Sequence, residues 1–115
     1  MKTSINKVTL QGFLGSNPEI REFAQDKSMA RVALATNERY KDSQGEMVEE
    51  TQWHNLVFWG KWASFAGLNL KKGLLVNITG KLVNRQYVDK DGVTRYVTQV
   101  TVSSAKVIEK QRKGK

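Results

Sequence analysis

The 115-residue chain is predicted to fold as an all-β barrel of five strands, with a single α-helix between the third and fourth. Three observations lead to this. Five segments alternate apolar and polar residues with a period of two, the period of a half-buried strand. Two short stretches rich in Asp and Gly separate strands as hairpin turns do. One segment alone has apolar residues at helical spacing.

The first strand is INKVTLQGFLG (5–15), in which Val8, Leu10, Gly12 and Leu14 alternate with Lys7, Thr9, Gln11 and Phe13. Pro18, the only proline, places a turn directly after it. SMARVALAT (28–36) and VEETQWHNLVFW (48–59) follow, rich in the β-branched and aromatic residues that suit a pleated surface. KDSQGE (41–46) is the turn between them. In KWASFAGLNLKKG (61–73), Trp62, Phe65, Ala66 and Leu70 recur at helical spacing. Lys71 and Lys72 suit the negative end of a helix dipole, and Gly73 is positioned as a C-cap. GLLVNITGKLVNRQYV (73–88) and TRYVTQVTV (94–102) are the last two strands, joined through DKDG (89–92). Gly12, Gly60 and Gly80 fall inside or at the ends of strands, where a small barrel bends sharply. Three strands, a helix and two strands is the layout of an OB-fold, a class of barrel that binds oligonucleotides on its strand 2–3 face and loops. The domain is placed at 1–105, with a short basic tail over 106–115.

Composition narrows the possible partners. Nineteen Lys and Arg against eleven Asp and Glu give a net charge of +8, and the isoelectric point is near 9.9. In one small domain that excess favours polyanions, nucleic acid before an acidic membrane surface. The absence of Cys removes disulfides and thiolate metal sites and suits a reducing compartment. The opening MKTSINKVTL lacks the apolar run of a signal peptide, and no segment approaches the roughly 20 apolar residues that span a bilayer. A soluble cytoplasmic protein is expected.

TQWHNLVFWGKW (51–62) holds all three tryptophans and the only histidine. Side chains alternate faces along a strand, so Trp53, Asn55, Val57 and Trp59 share one side and Gln52, His54, Leu56 and Phe58 the other. Leu56 and Phe58 are core residues. A barrel has one interior, so Trp53 and Trp59 should point outward, as an apolar patch that something must cover. Stacked bases or a partner subunit would both serve. On the fourth strand Lys81, Arg85 and Tyr87 share the face opposite Val76, Ile78, Gly80 and Leu82. Cations interleaved with rings are the design of a single-strand groove, in which charges track phosphates and π-faces accept any base. Trp62 is read as helix packing. Tyr96, in phase with Thr98, Val100 and Val102, is read as core. His54 has no second His and no Cys for a metal site, and no Ser or Asp arrangement for nucleophilic catalysis. Glu46, Glu49 and Glu50 flank a turn rather than converging as two-metal nuclease chemistry requires. A non-enzymatic protein without cofactor or metal is expected.

NKVTLQGFLGSNPEIR, ARVALAT, GEMVEETQWHNLVFWGK, LKKGLLVNITGKL and DKDGVTRYVTQV, in that order and spacing, resemble the bacterial and mitochondrial-type single-stranded DNA-binding protein family over roughly residues 5 to 103. The resemblance implies an OB-fold, a homotetramer around which single-stranded DNA wraps, and service in DNA replication, recombination and repair, close to the nucleoid. It implies stacking by Tyr40, Trp53, Trp59 and Tyr87. Tyr40 and Tyr87 stand where the family often has Trp, and Trp59 where Phe is common. Parity alone would turn Tyr40 toward the core, so its assignment to DNA rests on the resemblance. Phosphate contacts carry over to Lys7, Arg21, Lys61, Lys72 and Arg85. Asn55 occupies a position that is commonly Arg, and His54 matches a histidine at the family's subunit interface. The family usually continues through a flexible linker to an acidic tip that recruits other proteins, whereas this chain ends in KVIEKQRKGK. Protein partners are therefore left open. An accessory factor of replication restart, or one of plasmid or phage type, acting mainly through protein partners, and an RNA chaperone, are the alternative readings.

Overall fold

The structure, a computed structural model, describes residues 3–23 and 27–109. Six strands and one helix follow in the order β1 (Val8–Leu14), β2 (Glu19–Phe23), β3 (Lys27–Lys41), β4 (Met47–Trp59), α1 (Lys61–Asn69), β5 (Leu75–Val88) and β6 (Thr94–Glu109). They form one sheet in the order β1-β5-β6-β4-β3-β2, which β1 closes by also pairing with β3. All pairings are antiparallel except β4 with β6. β1, β3, β4, β5 and β6 are the five strands of an OB barrel. The expected fold holds, with the helix directly after the third barrel strand.

Closure is made by a short seam, Phe13 opposite Ala35 and Leu14 opposite Leu34. Backbones approach closely there, and a Cβ on Gly12 would lie 2.1 Å from the Ala35 carbonyl oxygen. Gly80 faces the same constraint against the Thr101 oxygen, beside a register shift in the β5–β6 pairing. These are the places where only a residue without a side chain lets the sheet curl. The interior holds Leu14, Val32, Leu34, Leu56, Phe58, Val76, Ile78, Val100 and Val102, sealed at one end by Ala63, Ala66, Leu70 and Leu74. Trp62 and Phe65 pack edge-to-face at 5.2 Å against that plug, as the helical spacing indicates.

The structure corrects four expectations. The helix stops at Asn69, because Leu70 turns extended to bury its side chain. Lys71, Lys72 and Gly73 therefore lie beyond it, and Gly73 is not its cap. Its amide donates instead to the Leu14 carbonyl at 2.9 Å, tying the loop to β1. Tyr96 is not core but 75% exposed. Leu82, also assigned to the core-facing side, is exposed too. Tyr96 continues the inward phase of Val100 onto the stretch where β5 and β6 pair only with each other, a free arm with no interior. Leu82 instead stands opposite buried Val100 at the rim, two residues beyond the last β1–β5 pair, Val8 with Gly80. Val57 lies on the outward side as expected yet is only 2% exposed, flanked in register by Arg31 and Thr101. β2 is an additional strand on the edge of β3; EIREF is short and charged, and shows no period-two signal.

Candidate nucleic-acid interface

Register places the outward residues in rows. Across β3 and β4, Met29 stands opposite Trp59, Arg31 opposite Val57, Ala33 opposite Asn55 and Ala35 opposite Trp53. Beyond β6 the same face continues onto β5, where Lys81 pairs with Thr101, Val83 with Gln99, Arg85 with Val97 and Tyr87 with Arg95. Arg31, Asn55, Arg85, Tyr87, Val97 and Gln99, with Ser16 and Asn17 from the β1–β2 loop and Glu19 at the start of β2, line an open groove of about 690 Å³.

Trp53 and Trp59 both reach solvent, at 63% and 38% exposure. They stand six positions apart, about 20 Å along an extended strand. Trp53 is held over the β1–β2 loop: a Cβ at Gly15 would sit 2.4 Å from its Cζ3, so the indole lies on bare backbone. Trp59 instead stacks on Phe23 of β2, centroids 6.2 Å apart and planes inclined by 27°. Phe23 escaped the sequence reading together with the strand that carries it. Tyr87 is exposed on the free β5–β6 arm.

Tyr40 is exposed too, on the β3–β4 arm beyond the barrel. It pairs with Val48 and lies in phase with the inward residues, so it does not share the face of Trp53. Its exposure comes from the arm outrunning the core rather than from its parity.

Both arms end in the same turn. Asp42 accepts backbone N–H bonds from Gln44 and Glu46, and Asp89 from Asp91 and Val93. Gly45 and Gly92 supply the positive φ, 81° and 77°. Asp89 also accepts a bond from Arg95 Nε at 2.9 Å. That guanidinium, then the Val93 amide, holds its carboxyl below its ordinary value of 3.8.

The cations do not gather in one place: Arg31 and Arg85 line the main groove, and Arg21, Lys61 and Lys72 lie outside its lining. Arg85 is oriented in the main groove by donating from Nε to Gln99 Oε1 at 3.0 Å. Arg31 and Arg21 both reach Glu19, at 3.3 and 3.8 Å. Lys61 is exposed two residues after Trp59, and Lys72 is exposed where its amide bonds to Asn17 Oδ1. Lys7 and Lys81 lie instead in a separate shallow cleft with Asn6 and Ser103. Asn6 fixes that edge through two 2.9 Å bonds to the Leu82 backbone. His54 is half-buried on β4 opposite Leu34, sharing a 2.9 Å hydrogen bond with Thr36 Oγ1. No group of three His, Cys, Asp or Glu that could hold a metal is present among the described residues, and no described helix is long and apolar enough to cross a membrane.

An OB barrel with separated rings and guanidinium groups on one open face defines a class of protein, the single-strand-binding barrels. Comparison with known proteins is more specific. The chain belongs to the single-strand binding protein family, whose sequence profile matches residues 5–108. It is 40% identical over 115 residues to single-stranded DNA-binding protein 1 of Chlorobaculum tepidum, covering 99% of this chain and 71% of that protein. Among solved structures it is similar to a Plasmodium falciparum SSB complex with ssDNA, with a TM-score of 0.86 and 26% identity, covering 95% of this chain and 99% of that one. It is also similar to a deletion mutant of the single-stranded DNA binding protein from Thermus aquaticus, with a TM-score of 0.80 and 28% identity. That match covers 91% of this chain and 51% of the other.

Proposed function

We propose that this chain is a non-enzymatic protein that binds single-stranded DNA with little regard to sequence, protecting unpaired strands in replication, recombination and repair. One observation carries the reading: Trp53 and Trp59 are displayed about 20 Å apart on a face that also bears Arg85 and Tyr87. Rings exposed at that cost call for cover, and beside cations a base offers it, with a flat face on every nucleotide. In this reading Trp53, Trp59 and Tyr87 stack bases along one face, and Tyr40 does so where the strand rounds the β3–β4 arm. Arg21, Lys61, Lys72 and Arg85 neutralise phosphates beside the groove, and Lys7 and Lys81 do so along the separate cleft. The assembly is a homotetramer with His54 at a subunit contact, and its place is the cytoplasm, on the nucleoid.

The test is titration with oligo-dT while tryptophan emission is followed. Binding quenches the indoles, and Trp53→Ala weakens it with the fold intact. Unchanged fluorescence and no affinity for oligo-dT would overturn the reading, and tighter binding to oligo-U would turn it toward RNA.

A further inference from the structure

β2 adds something to the outer face that the five barrel strands lack. Glu19, Arg21 and Phe23 alternate with Ile20 and Glu22. Ile20 and Glu22 border α1 with Ala63 and Gly67. Arg21 and Phe23 turn the other way, opposite Met29 and Lys27 of β3, and Met29 in turn pairs with Trp59. Phe23, Arg21, Lys27, Met29 and Trp59 therefore lie on one side of three adjacent strands. Phe23 is 47% exposed and stacks near-parallel on Trp59.

Burial alone does not account for this pair. Both rings lie on the side of the sheet away from the core and keep solvent contact, and exposed cations stand at neighbouring register positions. An exposed ring beside a second ring and two cations has the composition of a nucleotide site, with a π-face for the base and charge for its phosphate.

We propose that Phe23 and Trp59 form a two-ring platform that holds a base of the bound strand, with Arg21 and Lys27 taking the adjoining phosphates. This rests on the reading above that the outer face carries single-stranded DNA. The site extends the groove past Trp59 and across β2. A strand coming from Tyr87 and Trp53 thus meets a composite stack at its far end rather than a lone indole. Phe23 also braces Trp59, since a parallel neighbour on one face leaves the other face presented.

Equilibrium binding of oligo-dT to the full chain, compared among wild type, Phe23→Leu and Phe23→Tyr, tests this. Leucine keeps an apolar contact against Trp59 but has no π-face. Its affinity is expected to fall by about 5- to 150-fold, the range for one lost stack, while Phe23→Tyr retains wild-type affinity. Thermal melts establish that each variant is folded. Irradiation of wild type bound to 5-iodouracil-substituted oligonucleotides gives a second reading that needs no variant, with a cross-link expected at Phe23. Wild-type affinity in Phe23→Leu, or cross-links confined to other rings, would overturn the platform. Failure of wild type to bind oligo-dT at all would overturn the underlying function instead.

Discussion

Neighbouring residues on β4 have opposite duties, and each is testable alone. Phe58 is fully buried and Trp59, one step along, reaches solvent. Phe58→Ala opens a cavity in a closed barrel and is expected to cost about 3–5 kcal/mol of stability, measured by denaturant unfolding. Trp53→Ala is expected to change stability by less than about 0.5 kcal/mol, as surface substitutions do. Its cost falls on binding, about 1–3 kcal/mol of oligo-dT affinity. Trp53 also depends on the glycine beneath it. With the space above Gly15 filled by its ring, Gly15→Ala forces the indole to move. The expected outcome is a shifted Trp53 emission and weaker oligo-dT binding in a chain that still unfolds cooperatively.

At the scale of elements, the two arms show how local chemistry and tertiary context share control. Asp and Gly at matched spacing made both turns legible in the sequence, because a carboxylate bonding back to two amides and a positive-φ glycine are local needs. The arms' length was not legible in the same way. Alternation in β5 and β6 continues to the barrel rim and past it, so Leu82 keeps a core-like phase at the rim and Tyr96 keeps it after the core has ended. The Asp89 turn has a pH signature. Its carboxyl is depressed when folded, chiefly by Arg95, so its contribution is complete above the ordinary value of 3.8. That contribution fades as pH falls through 3.8 and below. Chemical shifts of the Gly92 amide and Arg95 Nε are expected to report loosening of the β5–β6 tip in that acidic range, with Asp89→Asn removing the transition.

For the whole molecule, charge and assembly are the testable properties. A net charge of +8 implies that binding releases counterions. The logarithm of affinity is expected to fall with the logarithm of salt by about 0.7 per phosphate neutralised on a single strand. Arg85→Ala should shallow that slope by about one such increment, since its guanidinium lines the groove. Light scattering is expected to give the mass of four chains, and a monomer would remove the proposed role of His54.

Much of the barrel was decided by the sequence itself: five runs of alternating residues, one helical stripe and two Asp–Gly turns specify the barrel elements and their order. They do so because strand phase and turn geometry are local, set by a residue and its near neighbours. The outward aim of Trp53 and Trp59 followed from parity as soon as the fold had one interior. Tertiary structure alone decided the rest. It paired β2 with β3, set Phe23 against Trp59, laid Trp53 over Gly15, and carried Tyr40 and Tyr96 beyond the core on free arms. Each of these depends on which distant segments become neighbours, and a period of two says which face a residue takes but not what that face meets.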